Sequence, residues 1–130
     1  QANLWDAAGR GDQAALEAAL GAGAEVNALD TRSSRNGRYA LNWAAIKDDP
    51  DTVSLLVAKG AAVNAQNLTG FTALHHAAEA GSAAAAKALL DSKADSSLRN
   101  ANGETASDVA RRNGHASVAQ IIDAAQRKSQ

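Results

Sequence analysis

His75 and His76, followed by Glu79, are the residues best suited by type to move a proton or hold a metal. Their spacing argues against both roles. Neighbouring residues on a helix point about 100° apart, whereas zinc proteases set their ligands at i and i+4 on one face. The chain has 0 Cys, which excludes thiolate ligands and thiolate nucleophiles. It has no Gly-x-Ser-x-Gly turn and no glycine loop of the phosphate-cradling kind. An enzyme or metal protein using His75, His76 and Glu79 is therefore the minority reading, and neither cofactor nor metal is expected. His115 falls where a helix starts and reads as structural. Asn67-Leu68-Thr69 matches a glycosylation acceptor, a triplet common by chance and relevant only to a secreted eukaryotic protein.

What must position these residues follows from composition and period. Of 130 residues, 34 are Ala, 21 are Val, Ile or Leu, and 4 are aromatic. With so few bulky side chains, a folded chain must bring backbones together through Ala. The formal net charge of -1 speaks against a nucleic-acid partner. No apolar run approaches the roughly 18 residues needed for a membrane-spanning helix, so membrane insertion is not expected. The first residue is Gln1 rather than Met, which points to an upstream segment removed as a secretory signal or by expression design.

Gly37, Gly70 and Gly103 recur at a 33-residue step, and Gly81 and Gly114 repeat it. A constant period of this size signals a repeat architecture. Leu41 with Leu74, Ala44 with Ala77 and Ala110, and Leu55-Leu56 with Ala88-Leu89 and Ile121-Ile122 keep the same register. A 37-residue step brings in the beginning of the chain, pairing Leu4 with Leu41 and Leu16 with Val53. Four units result, about 3–29, 30–66, 67–99 and 100–125, within a single domain spanning 1–130. The second carries four extra residues.

Each unit reads as two short helices and a loop. Asp12, Asp49, Ser82 and His115 share the start column of the second helix; the first three offer capping oxygens, and Pro50 suits the first helical position. Gly23 and Gly60 suit a left-handed helix end; Lys93 takes that column in the third unit, where strain is expected. Residues 24–27 and 61–64 read as short extended arms leading to tips at Asn36-Gly37, Thr69-Gly70 and Asn102-Gly103. Leu16, Leu20, Val53, Leu56, Val57, Leu89, Leu90, Ile121 and Ile122 are the expected seam between layers.

The run from Gly70 to Gly81, Gly-Phe-Thr-Ala-Leu-His-His-Ala-Ala-Glu-Ala-Gly, resembles the G-x-T-P-L-H-x-A-A-x-x-G core of an ankyrin repeat, with Ala73 in the place of Pro. Residues 37–45 are a looser copy, and 103–110 are similar to the polar form of a closing repeat. The resemblance covers about residues 3–125. It implies an all-α solenoid of four ankyrin repeats, helix-turn-helix units with extended loop fingers, capped by the first and last. It also implies that the His75 imidazole bonds backbone of the adjoining loop. Departures lie mainly in the second unit, where Tyr39, Asn42 and Asp48 replace Thr, His and Gly, so its local capping bonds are the ones in question.

In such stacks the finger tips and first helices form a concave face that meets other proteins. Carried over by position, the partner-facing columns are Arg10; Arg35, Asn36, Arg38, Ile46 and Lys47; Leu68, Thr69, Phe71, Glu79 and Ala80; and Ala101, Asn102, Glu104, Arg111 and Arg112. Phe71, the only Phe, is expected as an exposed anchor at a loop tip. Trp43 either seals the joint between units or faces the groove. Asp30 to Asn42 forms the longest finger, extended over 30–38, with Asp30 against Arg32, Arg35 and Arg38, a net of +2. Guanidinium forks of this kind suit carboxylates. The expected function is non-enzymatic protein binding centred on Arg35, Arg38, Tyr39, Trp43, Ile46, Lys47, Leu68 and Phe71, by a chain that is monomeric when free. The resemblance extends to compact bacterial ankyrin proteins, some of them exported immunity or self-protection inhibitors that cover the active site of a cell-wall hydrolase or toxin. A periplasmic or otherwise exported location follows from that reading; the alternative is a cytoplasmic adaptor or scaffold.

Overall fold

The computed structural model describes residues 1–33 and 35–128, so Ser34 in the second finger and the last two residues of the domain lie outside the described residues. Within them are eight helices: α1 Ala2–Arg10, α2 Gln13–Gly21, α3 Ala40–Ile46, α4 Pro50–Ala58, α5 Ala73–Ala80, α6 Ala83–Asp91, α7 Ala106–Arg112 and α8 Ala116–Lys128. They form four pairs in two layers. The first helices α1, α3, α5 and α7 pack in chain order, and behind them α4, α6 and α8 do the same.

Alanine sets the spacing of the front layer. Ala7, Ala8, Ala44, Ala45, Ala77, Ala78 and Ala110 are all completely buried, so neighbouring helices meet almost backbone to backbone. Leu16, Val53, Leu56, Leu89 and Ile122 fill the seam behind them, each worth about 1.5–3 kcal/mol of burial. Leu20, Val57 and Leu90 are only half-buried against that core, at its edge rather than inside it, and Ile121 is likewise half-buried.

The second helices start as their residues dictate, with one exchange of roles. Asp12 accepts from the Ala15 amide at 3.1 Å, and Asp49 from the Thr52 amide at 3.1 Å. Ser82 does not cap α6; its hydroxyl donates instead to the Ile46 carbonyl at 3.4 Å. The missing acceptor comes from the preceding repeat, where Asp48 Oδ1 accepts from the Ala85 amide at 2.9 Å. Asp48 is left-handed, with φ 59, in a column that holds Gly11 and Gly81 elsewhere. Gly81 has no such freedom: a Cβ there would lie 2.8 Å from the His115 ring. Lys93 is also left-handed, φ 73, in the column of Gly23 and Gly60.

The arms are less extended than the sequence suggests. The chain turns at 26–27 and again at 63–64, closed by Ala28 N–Glu25 O and Ala65 N–Ala62 O bonds of 3.3 Å each. Asn side chains at these turns tie each unit to the next: Asn27 accepts from the Ala62 amide and donates to the Gly60 carbonyl, and Asn64 accepts from the Asp95 amide.

Candidate functional site

Each finger hangs from one buried polar residue, Asp30, Asn67 or Asn100. The Asn67 side-chain oxygen accepts from the amides of Thr69 and Phe71 at 3.0 and 2.9 Å, and Asn100 binds the amides of Asn102 and Glu104 in the same way. Asn67 also donates its amide nitrogen to the Gly37 carbonyl at 2.9 Å, so the apparent glycosylation triplet has its acceptor nitrogen committed inside the fold. Backbone bonds close the finger roots between Asn67 and Phe71 and between Asn100 and Glu104. In the second unit the closure runs from Asp30 to Arg38, so the four extra residues sit inside that finger. Finger tips are also bonded to one another, Leu68 N to Asn36 O and Ala101 N to Thr69 O, both at 2.9 Å.

Asp30 organises the long finger and turns part of its positive charge inward. Its carboxylate receives Arg32 Nε at 2.9 Å and Trp43 Nε1 at 3.2 Å. The Arg32 hydrogen bond, aided by Trp43, holds the Asp30 carboxyl below the ordinary value of 3.8 against the effect of burial. Arg32 continues to Asp6 at 3.0 Å, and its guanidinium lies 4.9 Å above the Trp5 ring. Its fork is thus used on the protein itself, lashing the finger to α1. Arg38 lies 4.7 Å over Trp43, and among the described residues no carboxylate is within ion-pair reach of it. Arg35 is exposed at the tip.

Trp43 is half-buried. It packs against the core between the first two units, and it lines a shallow notch of about 260 Å³ with Trp5, Gly9 and Arg10. Arg10 itself is exposed and 3.7 Å from Asp12. Ile46 is half-buried, while Lys47, Glu79, Ala80, Ala101 and Asn102 are exposed and Thr69 is half-buried. Tyr39 points its hydroxyl at the Gln66 carbonyl, 3.3 Å away, so it cannot cap α3; only the reverse bond survives, Asn42 accepting from the Tyr39 amide at 2.9 Å.

The large apolar side chain exposed at this finger is Leu68 rather than Phe71. Phe71 is half-buried, its ring 5.4 Å from His75 and 5.2 Å from His76, tilted against both. Leu68 beside it is 70% exposed, the only large hydrophobic residue so placed among the described residues. At the far end the charges pair internally: Arg112 chelates Glu104, and Arg111 binds Asp123.

The two histidines have opposite fates. His75 Nδ1 accepts from the Thr72 amide at 3.2 Å, which fixes the proton on Nε2, and Nε2–H donates to the Glu104 carbonyl at 2.9 Å. Burial lowers its pKa. The His76 ring is buried with neither nitrogen bonded, an arrangement that costs about 1–3 kcal/mol. Burial, with Arg38 and His75 nearby, pushes its pKa down to about 3. One ring is fully committed to the fold, the other is held neutral, and among the described residues no cluster of three His, Asp or Glu side chains could hold a metal. This arrangement does not assemble the acid–base or metal centre that His75, His76 and Glu79 would have to form together.

A family model described as "Ankyrin repeats (3 copies)" matches residues 4–100 and 63–128. Among curated relatives, the chain is 38% identical over 108 residues to the B-cell lymphoma 3 protein homolog of Mus musculus, covering 83% of this chain and 23% of that protein. It is 38% identical over 81 residues to protein phosphatase 1 regulatory subunit 12A of Mus musculus, covering 62% of this chain and 8% of that one. It is 37% identical over 106 residues to the ankyrin repeat domain-containing protein SAT10 of Stachybotrys chartarum, covering 82% and 5% respectively. The chain therefore spans less than a quarter of each of these relatives. With the period, the two helical layers and the laced fingers already in place, the family match makes the assignment plain: this chain belongs to the ankyrin-repeat family.

Proposed function

We propose that the chain is a non-enzymatic protein-binding module that docks its concave face and finger tips onto one partner protein. The observation that carries this reading is Leu68, a large aliphatic side chain 70% exposed on a finger bonded by backbone to the finger before it. Folding gains nothing from leaving it in water. A rigid surface also loses little entropy on docking, which is how a preorganised face gains affinity. Arg35 and Arg38 on the neighbouring finger give the face a positive side, and Trp43, Tyr39, Ile46, Lys47, Phe71, Glu79 and Arg10 complete it.

The finer form of the proposal is inhibition: the long second finger enters the cleft of a hydrolase or toxin, in an exported, immunity-type role. A cytoplasmic adaptor would use the same residues. Tagged protein exposed separately to periplasmic and cytoplasmic extracts of the source organism, beside a Leu68→Ala, Arg35→Ala double variant, tests both. A partner retained by wild type and lost by the variant supports the face. If that partner is an exported hydrolase or toxin that loses activity when bound, the inhibitor form holds; a cytoplasmic partner makes the chain an adaptor. Equal retention by the variant overturns the proposed face.

A further inference from the structure

His76 is the one buried side chain among the described residues whose polar atoms have no partner. Neutral imidazole carries one N–H donor and one acceptor, and burying both unbonded is costly unless something else meets them. The ring lines a cavity of about 180 Å³ on the concave face, together with Arg38, Asn67, Thr69, Phe71 and Glu79. The cavity is open to solvent and has room for the end of an amino-acid side chain.

Charge decides what that end should be. Arg38 has no carboxylate within ion-pair reach among the described residues, and its guanidinium is held in place by Trp43. Arg38 and His75 both act on the His76 ring against its protonation, and Glu79, exposed, lines the same cavity. Arg38 thus sets one guanidinium beside a neutral His76 ring that has an N–H to offer. Asn67 Oδ1 is spent on its own finger, and its amide nitrogen already donates to the Gly37 carbonyl.

We propose that this cavity is a carboxylate subsite of the binding face, taking an Asp or Glu side chain of the docked protein between the Arg38 guanidinium and the His76 N–H. The subsite rests on the concave-face reading above and specifies the partner's chemistry: an acidic residue on the surface that meets the second and third fingers. Phe71, tilted over the His76 ring, must turn aside for the carboxylate to reach it. Charge-assisted bonds from Arg and an imidazole N–H are the strong kind, and they would give the stranded ring its missing partner.

The test is an NMR titration of the full 130-residue chain, 15N-labelled, with N-acetyl-aspartate N-methylamide and separately with its asparagine counterpart. The aspartate probe should produce saturable shifts at the His76 ring nitrogens and at Arg38 Nε. The asparagine probe should bind about tenfold more weakly, and Arg38→Gln, which leaves every buried side chain in place, should abolish the difference. No saturable shift at His76, equal response to both probes, or unchanged binding by Arg38→Gln would overturn the subsite. If the probe fails while the extract experiment still yields a partner lost by the Leu68→Ala, Arg35→Ala variant, the binding face stands and the carboxylate assignment alone falls. If the probe binds but no such partner exists, the cavity binds carboxylates, and the docking face falls together with the cavity's role in it.

Discussion

Asp48 caps a helix that is not its own: its carboxylate accepts from the Ala85 amide at 2.9 Å, across the joint between the second and third repeats. The family column calls for Gly, and the chain spends a left-handed Asp there, with φ 59. Ser82, freed from capping, is small enough to leave room and binds the Ile46 carbonyl instead.

Two substitutions separate the terms at that joint. Asp48→Ala loses the cap and keeps the left-handed strain, so it should destabilise by about 1–2 kcal/mol. Asp48→Gly loses the cap but relieves the strain, and should be about 1 kcal/mol milder. Urea unfolding of both variants measures the difference; equal losses would mean that the φ of residue 48 carries no strain.

His76 makes stability depend on pH. Its folded pKa of about 3 lies below the ordinary 6.5, so in acid the unfolded chain takes up a proton that the folded chain refuses. Stability should therefore be complete above about pH 6.5 and fall by about 1.4 kcal/mol per unit as the pH drops below it. His75, shifted the same way by burial, adds to the slope. His76→Leu should remove its own share, readable in denaturant midpoints at pH 7 and pH 5. An unchanged slope would show that His76 protonates freely in the folded chain.

Asp30 has the same sign of dependence in a more acidic window. Its folded pKa is depressed by Arg32, so its contribution is present above the ordinary 3.8 and is lost as the pH falls below it. At neutral pH, Asp30→Asn should weaken the Arg32 and Trp43 bonds by about 1–2 kcal/mol and open the finger. Hydrogen exchange at the Arg38 amide, which donates to the Asp30 carbonyl at 2.9 Å, should then accelerate by about tenfold. The amides of α5 and α6 should keep their protection.

Leu68 and Leu56 should divide function from stability. Leu56 is completely buried, and Leu56→Ala should cost about 2–5 kcal/mol through the cavity it leaves. Leu68→Ala should change the unfolding midpoint by less than about 0.5 kcal/mol while weakening partner binding. Phe71→Ala is a poor probe of the face, because the ring covers two buried imidazoles and its loss should cost stability as well.

The fold was legible because it repeats. A register shared by Leu41 and Leu74, by Ala44, Ala77 and Ala110, and by the recurring glycines can hardly arise unless the same unit recurs. The His75 role came with the motif, and its bond to the Glu104 carbonyl agrees with it. Contacts made across repeats were not legible. Which of Leu68 and Phe71 faces water depends on how a turn hung from Asn67 aims two neighbouring side chains. Arg32 and Arg38 look alike in the sequence, yet one folds onto Asp30, Asp6 and Trp5 while the other rests on Trp43. The Asp48 cap spans a separation of 37 residues, beyond any local pattern.

The bonds between finger tips, Leu68 N to Asn36 O and Ala101 N to Thr69 O, are made by main chain alone. Main-chain groups are the same whatever amino acid occupies the tip, so these tie bonds do not depend on the side chains of Leu68 and Ala101. At an exposed tip such as Leu68, a new specificity can therefore be drafted with little toll in folding.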